Sequence, residues 1–261
     1  MTPHIFPDAD SLGRYVAQKI LAGIATARDA GRPFLLGCPS GRSPKPVYDQ
    51  MAVQLAKHPQ DISNLVIVMM DEYVVPGPAG EPTNAPADAH FSCHRFAEHD
   101  IADQFNAVLL DDWKLPAASV WFPDPSSADT YDTRIEQAGG VDYFILASGA
   151  GDGHVAFNPP GSPVDGGSRV LDLAEQTRRD NLQTFPDFRD ISEVPLQGVS
   201  VGVGTIAKAR AAGLILIGEG KREAYRRITA AHGYDVDWPA TVIHLVPNAE
   251  IFADQAAAQS L

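Results

Sequence analysis

Continuous apolar runs of strand length recur along this chain, and they constrain its fold more than any other feature. They are PFLLGCP (33–39), LVIVMMDEY (65–73), SVWFP (119–123), VDYFILASG (141–149), AGLILIGEG (212–220) and TVIHLVP (241–247). A strand with one wet face alternates apolar with polar residues. These runs do not, so both of their faces must be covered. Stretches of helical spacing fall between them. Leu12, Val16, Ile20 and Ile24 recur every fourth residue from Ser11 to Asp29, with Asp10 or Ser11 as the expected cap, and Val47, Met51 and Leu55 repeat the pattern. Further helices are predicted over 91–104, 127–138 and 221–231. Strands alternating with helices imply a mostly parallel sheet clothed on both sides, an α/β fold. Segments 74–90 and 159–198 are rich in Pro and Gly without a period and are expected as long loops, of a length that is usually functional. The second, which carries Arg178 and Arg179, is expected to close as a lid. No linker divides residues 1–261, so one domain is expected.

Partners are narrowed by charge. With 20 Lys and Arg against 33 Asp and Glu, the formal net charge is −13, and such a surface repels nucleic acid and anionic membranes. A small anion can still bind where a few basic groups and backbone N–H donors converge. Cys38 and Cys93 form no CxxC or Cys/His cluster, which excludes a disulfide scaffold or zinc site and leaves both as small buried residues. The first residues lack a signal-peptide pattern and no run of roughly 18 apolar residues occurs. A cytoplasmic protein is expected. A homo-oligomer stays open.

Ligands of open α/β sheets collect beyond the carboxyl ends of the strands, and three unusual stretches lie there. In GCPSGRSPKPVY (37–48), Gly41 permits close backbone approach, Ser40 and Ser43 offer hydroxyls, and Arg42 adds charge. Ser43-Pro44 reads as an N-cap with proline at the first helical position, a helix start that presents free N–H groups to an anion. Taken alone, an ordinary strand-to-helix turn looks the same. In MMDEYVVP (69–76), Asp71 and Glu72 follow an apolar strand. Consecutive strand residues point to opposite faces, so one of them at most enters a pocket, where a partly desolvated carboxylate could act as a general base. In ILASGAGDGHVAFNPPGSP (145–163), glycines at 149, 151 and 153 turn the chain sharply and present His154, with Asp152 two residues before it. An imidazole held this way suits proton transfer, although a lone histidine is also commonly structural. A dinucleotide site is disfavoured: GAGDGH has glycines at alternate positions, and GVGTIA (202–207) follows no clear apolar strand.

Taken together, GCPSGRSP, MDEYVVP, HFSCHRF (90–96), GAGDGHVAFNPP, SVGVGT (200–205) and GEGKREA (218–224) resemble, in order, the landmarks of the glucosamine-6-phosphate deaminase (isomerase) and 6-phosphogluconolactonase superfamily. The resemblance runs from about residue 33 to 245. MDEY and HVAFN resemble the deaminase branch, since a lactonase more typically continues Asp-Gly-His with Thr-Ala-Ser. It implies a three-layer, Rossmann-like fold of the deaminase, ribose-5-phosphate isomerase and CoA-transferase type, a sugar phosphate as substrate, and no cofactor or metal. It further implies Asp71 as the base that moves the C2 proton, His154 as the ring-opening group oriented by Asp152, and a phosphate held by Ser40, Gly41, Arg42 and Ser43 with Lys221. Two positions depart from the family. Pro159 stands where the deaminases carry a glutamate after AFN, and Gln183 stands where they carry a phosphate-binding arginine. Arg42, Arg178 and Arg179 are the candidates to supply the missing charge. The leading expectation is an amino-sugar-phosphate isomerase-deaminase. The alternatives are a lactonase-like hydrolase or another sugar-phosphate isomerase, and a non-catalytic sugar-phosphate sensor.

Overall fold

A computed structural model describes residues 1–259. Its strands are β1 (His4–Phe6), β2 (Phe34–Cys38), β3 (Leu65–Met69), β4 (Asp71–Pro76), β5 (Pro82–Asn84), β6 (Val120–Trp121), β7 (Tyr143–Ala147), β8 (Arg169–Asp172), β9 (Gln197–Ser200), β10 (Ala212–Leu216) and β11 (Ala249–Asp254). Its α-helices are α1 (Ala9–Asp29), α2 (Lys45–Lys57), α3 (Cys93–Phe96), α4 (Asp103–Asn106), α5 (Ala128–Gln137), α6 (Glu175–Thr184), α7 (Val203–Ala207), α8 (Arg222–Ala230) and α9 (Gln255–Ala258). A π-helical stretch, Ala97–Ala102, joins α3 to α4.

The main sheet has seven strands in the order β1-β11-β10-β7-β2-β3-β6, and every pairing in it is parallel. Its strands are buried on both faces because successive residues feed two separate cores. Leu36, Ile67, Met69, Ile145 and Ile215 join the core under α1 and α2. Their neighbours Leu35, Val66, Val68, Leu146 and Leu214 join the core that includes Tyr131, Ile206 and Ile228 of α5, α7 and α8. Helix, sheet and helix form the expected three layers.

Sheet packing relies on aromatic residues of β7 placed over glycines of its neighbours. A Cβ built on Gly37 would lie 1.7 Å from the Phe144 ring, and one on Gly213 would lie 2.1 Å from the Tyr143 hydroxyl.

Several expectations are corrected. The run 65–73 is not one strand. It breaks at Met70 and supplies β3 to the parallel sheet and β4 to a second, antiparallel sheet, β5-β4-β9-β8. Segments 74–90 and 159–198 therefore carry β5, β8, α6 and the first half of β9 rather than plain loop. The run 241–247 is not a strand either. Pro239–His244 is a 3-10 helix, and β11 follows it. A short run buried on all sides cannot be told from a strand by periodicity alone. Helix α1 starts two residues earlier than expected, capped by the Asp8 carboxylate on the Ser11 N–H. Ser43 is not the side-chain cap of α2, since Pro44 occupies that position without one. GVGTIA contributes α7, and its Gly202 and Gly204 meet the backbone of residues 165–167 in place of a ligand.

Candidate functional site

Five chain segments meet at the carboxyl ends of β2, β7 and β10 around a cavity of about 480 Å³. Ser40, Gly41, Arg42, Ser43, Asp71, His154 and Lys221 all line it, along with Tyr73, Thr177, Asp180, Asn181 and Gln183. Asp152 stands behind His154 and does not line the cavity.

The break between β3 and β4 places Asp71. At Met70 the chain leaves one sheet for the other, and the first residue of β4 projects into the cavity with Tyr73, its i+2 neighbour, while Glu72 turns away. Asp71 is 4% exposed. Burial pushes its carboxyl up to about 7, the Cys93 thiol partly opposes this, the charge of Glu72 adds to it, and His154 opposes it.

His154 is placed by a turn that only glycine permits. A Cβ on Gly149 would come within 2.2 Å of Asp152 Oδ1 and 2.3 Å of His154 Nδ1. Gly153 sits at φ +66 with its α-carbon against Trp238, where a Cβ would lie 2.2 Å from the indole. The turn is closed by Gly149 N–H on the His154 carbonyl at 2.8 Å, and it is held by Ala240 N–H on the Gly153 carbonyl, also at 2.8 Å. Asp152 Oδ1 lies 2.8 Å from His154 Nδ1, and Thr177 Oγ1 lies 3.3 Å from the same nitrogen. Pairing with the carboxylate assigns the proton to Nδ1 and leaves Nε2 for the cavity. Burial disfavours the Asp152 carboxylate, but the hydrogen bonds and charge of His154 outweigh that and hold it below its ordinary value.

The end of the cavity that carries Arg42 and Lys221 is built by two loops. Gly41, at φ +98, lets residues 40–43 curl between β2 and α2, and Tyr48 donates to the Pro39 carbonyl at 2.9 Å to anchor the loop. Across the cavity, the Gly218 N–H donates to Asp254, and the chain then makes the 3-10 turn Glu219–Lys221. Lys221 Nζ donates to the Ser148 carbonyl. Burial lowers its pKa, Asp180 works against that, and Arg42 adds to it.

Pro159 is half-buried and lies outside the cavity wall, so no carboxylate enters by that route, whereas Gln183 lines the wall. Arg178 and Arg179 do not supply the missing charge. Arg178 donates to the Ile191 and Val194 carbonyls, and Arg179 pairs with Glu175. The cations on the wall are Arg42 and Lys221. Sequence reasoning passed over Thr177, Asp180 and Asn181 because the segment that carries them shows no apolar period. Their signal was the helical spacing of polar residues.

The profile of the family described as glucosamine-6-phosphate isomerases/6-phosphogluconolactonase matches residues 7–250. The chain is 35% identical over 237 residues to the glucosamine-6-phosphate deaminase of Bifidobacterium longum subsp. infantis, covering 87% of this chain and 82% of that one. It is 33% identical over 263 residues to the enzyme of the same name from Mycolicibacterium smegmatis, covering 98% and 91%. In fold it is similar to a solved monomeric glucosamine-6-phosphate deaminase, with a TM-score of 0.81 at 22% identity and 99% of each chain covered. It is also similar to the 6-phosphogluconolactonase of Thermotoga maritima, with a TM-score of 0.66 at 20% identity, covering 97% and 99%. The chain belongs to the glucosamine-6-phosphate isomerase/6-phosphogluconolactonase family.

Proposed function

We propose that this protein is an amino-sugar-phosphate isomerase-deaminase, acting on a glucosamine-6-phosphate-like substrate with release of ammonia. The observation that carries this reading is the sharing of one cavity by a carboxylate that titrates near neutrality, an Asp-supported imidazole and an anion loop. The names of the curated relatives support it.

In this reading the phosphate lies against residues 40–43, Arg42 and Lys221, and the energy of binding it orients the sugar for the chemical step. His154 Nε2 takes the proton of the anomeric hydroxyl and returns one to the ring oxygen, opening the pyranose, while Asp152 stabilises the transient imidazolium. Asp71 removes the proton from C2 and delivers it to C1 while a proton passes from the amino group to O1, converting the aldose to a ketose-level imine. Water adds at C2, the C–N bond breaks, and ammonia leaves with ketose phosphate as the other product. A carboxylate near pH 7 is matched to this proton transfer, because it is both unprotonated and basic at working pH. A phosphorylated sugar does not cross membranes unaided, which supports a cytoplasmic setting. The catalytic trio supports an enzyme over a sugar-phosphate sensor.

A second reading is favoured by the likeness to lactonase structures: His154 activates water on a 6-phosphogluconolactone-like ester. Purified protein offered glucosamine-6-phosphate, galactosamine-6-phosphate and 6-phosphogluconolactone separates the two. Ammonia and ketose formation is expected, and Lys221→Ala is expected to raise KM tenfold or more with a smaller change in kcat. Acid from the lactone without ammonia from either amino sugar would establish the hydrolase instead.

A further inference from the structure

At the start of β4 two adjacent carboxylates receive opposite treatment. Glu72, wholly buried, accepts from Tyr73 N–H at 2.7 Å, Ser92 Oγ at 2.9 Å, Cys93 N–H at 3.1 Å and His94 N–H at 2.9 Å, and it lies 2.7 Å from His94 Nδ1. Asp71, nearly as buried, has one hydrogen-bonding neighbour among the described residues: Cys93 Sγ, 3.5 Å from its Oδ1. The same sulfur lies 3.4 Å from Ser40 Oγ in the anion loop. Cys93 itself has no freedom to swing away. It opens α3, its N–H is bound to Glu72, and its side chain is fully buried. A thiol carries one proton, so donation to Asp71 leaves the sulfur lone pairs to accept from Ser40.

We infer that Cys93 is a positioning residue for the base, its thiol tethering Asp71 Oδ1 through a deliberately weak hydrogen bond while Ser40 holds the sulfur in place. The inference rests on the reading of Asp71 as the base and deepens it. A proton acceptor must be oriented, yet a strong donor would favour its charged form and blunt its basicity. Sulfur is a weak donor, so it supplies direction at little cost in basicity. Glu72, with its full set of strong donors, shows the alternative that Asp71 is spared. The ionisable groups whose charge couples to Asp71 are Glu72 and Tyr73 from β4, Tyr48 from α2, Tyr131 from α5, Cys93 from α3 and His154 from the turn after β7. The three tyrosines are held neutral by burial, so the thiol is the donor through which the carboxylate can be tuned without adding charge.

The test compares Cys93→Ser and Cys93→Ala. The hydroxyl of C93S donates more strongly, so the acidic limb of the kcat–pH profile is expected to move down by about one pH unit. C93A removes the donor, so the limb is expected to move up. The Asp71 carboxyl is also titrated in ligand-free protein carrying 13C-labelled aspartate, where the same opposite displacements are expected. Unchanged titration in both variants with only a loss of Tm, or displacement of both in one direction, would show that the thiol merely fills space. Absence of amino-sugar turnover in the wild type would remove the functional reading, while the NMR titration still decides the role of Cys93.

Discussion

In the proposed mechanism, Asp71 ties activity and stability to the same proton. With its carboxyl near 7, the active, unprotonated base is lost as pH falls, so kcat is expected to drop about tenfold per pH unit below that value. Asp71→Asn is expected to abolish exchange of the C2 proton with solvent, lowering turnover by about 10²–10⁴ while sparing ligand affinity. Persistent exchange would count against the assignment. The effect on stability has the opposite sign. The folded pKa lies above the unfolded value of 3.8, so between the two the unfolded chain has lost a proton that the native state keeps, and stability falls as pH rises through that window. The loss is complete above pH 7 and is at most about 4 kcal/mol for a three-unit difference. Asp71→Asn is therefore expected to raise Tm at pH 8 and to leave it near the wild-type value at pH 4, a contrast that thermal melts at the two pH values read directly.

Elements meet by fitting large side chains of one strand over glycines of the next, and this makes the central sheet sensitive to single methyl groups. The Phe144 ring occupies the place a Cβ on Gly37 would take. Gly37→Ala is therefore expected to destabilise by about 1–3 kcal/mol through overpacking, measured as a lowered urea midpoint. Phe144→Leu in the same background should recover part of that loss, giving a coupling energy in the double-mutant cycle. Independent, additive effects would mean the two strands do not interlock as described. The turn that presents His154 depends on a similar constraint, but there the crowded groups are Asp152 and His154 themselves, so under the proposed mechanism strain at Gly149 would appear in kcat before it appears in Tm.

At the scale of the molecule, the cavity joins the parallel sheet to the smaller antiparallel one. Asp71 opens β4, directly after the chain crosses from one to the other at Met70, and α6 covers the cavity with Thr177, Asp180 and Asn181. A sugar phosphate that bridges the anion loop and α6 is expected to stabilise the fold by about 2.7 kcal/mol at a hundredfold excess over Kd. It is also expected to slow proteolysis within 175–190. Identical cleavage with and without ligand would exclude closure of that segment over the substrate.

The sequence determined on its own whatever depends on local pattern. Unbroken apolar runs marked the parallel sheet, fourfold spacing marked α1 and α2, helix-like stretches marked α5 and α8, and glycines at 149 and 153 announced a turn presenting His154. The motif order of a known family named the chemistry. What the sequence could not express was where a run changes partner. Nothing in LVIVMMDEY marks Met70 as the point where one sheet hands over to another, because one strand with a polar end reads the same as two extended strands joined end to end. The short strands of 159–198 were hidden for the same reason, since their residues pair with distant partners and carry no period of their own. Only the tertiary structure decided that Glu72 is saturated with donors while Asp71 keeps a single thiol. Hydrogen-bond supply and burial are set by segments remote in the chain, and these set the basicity of a carboxylate.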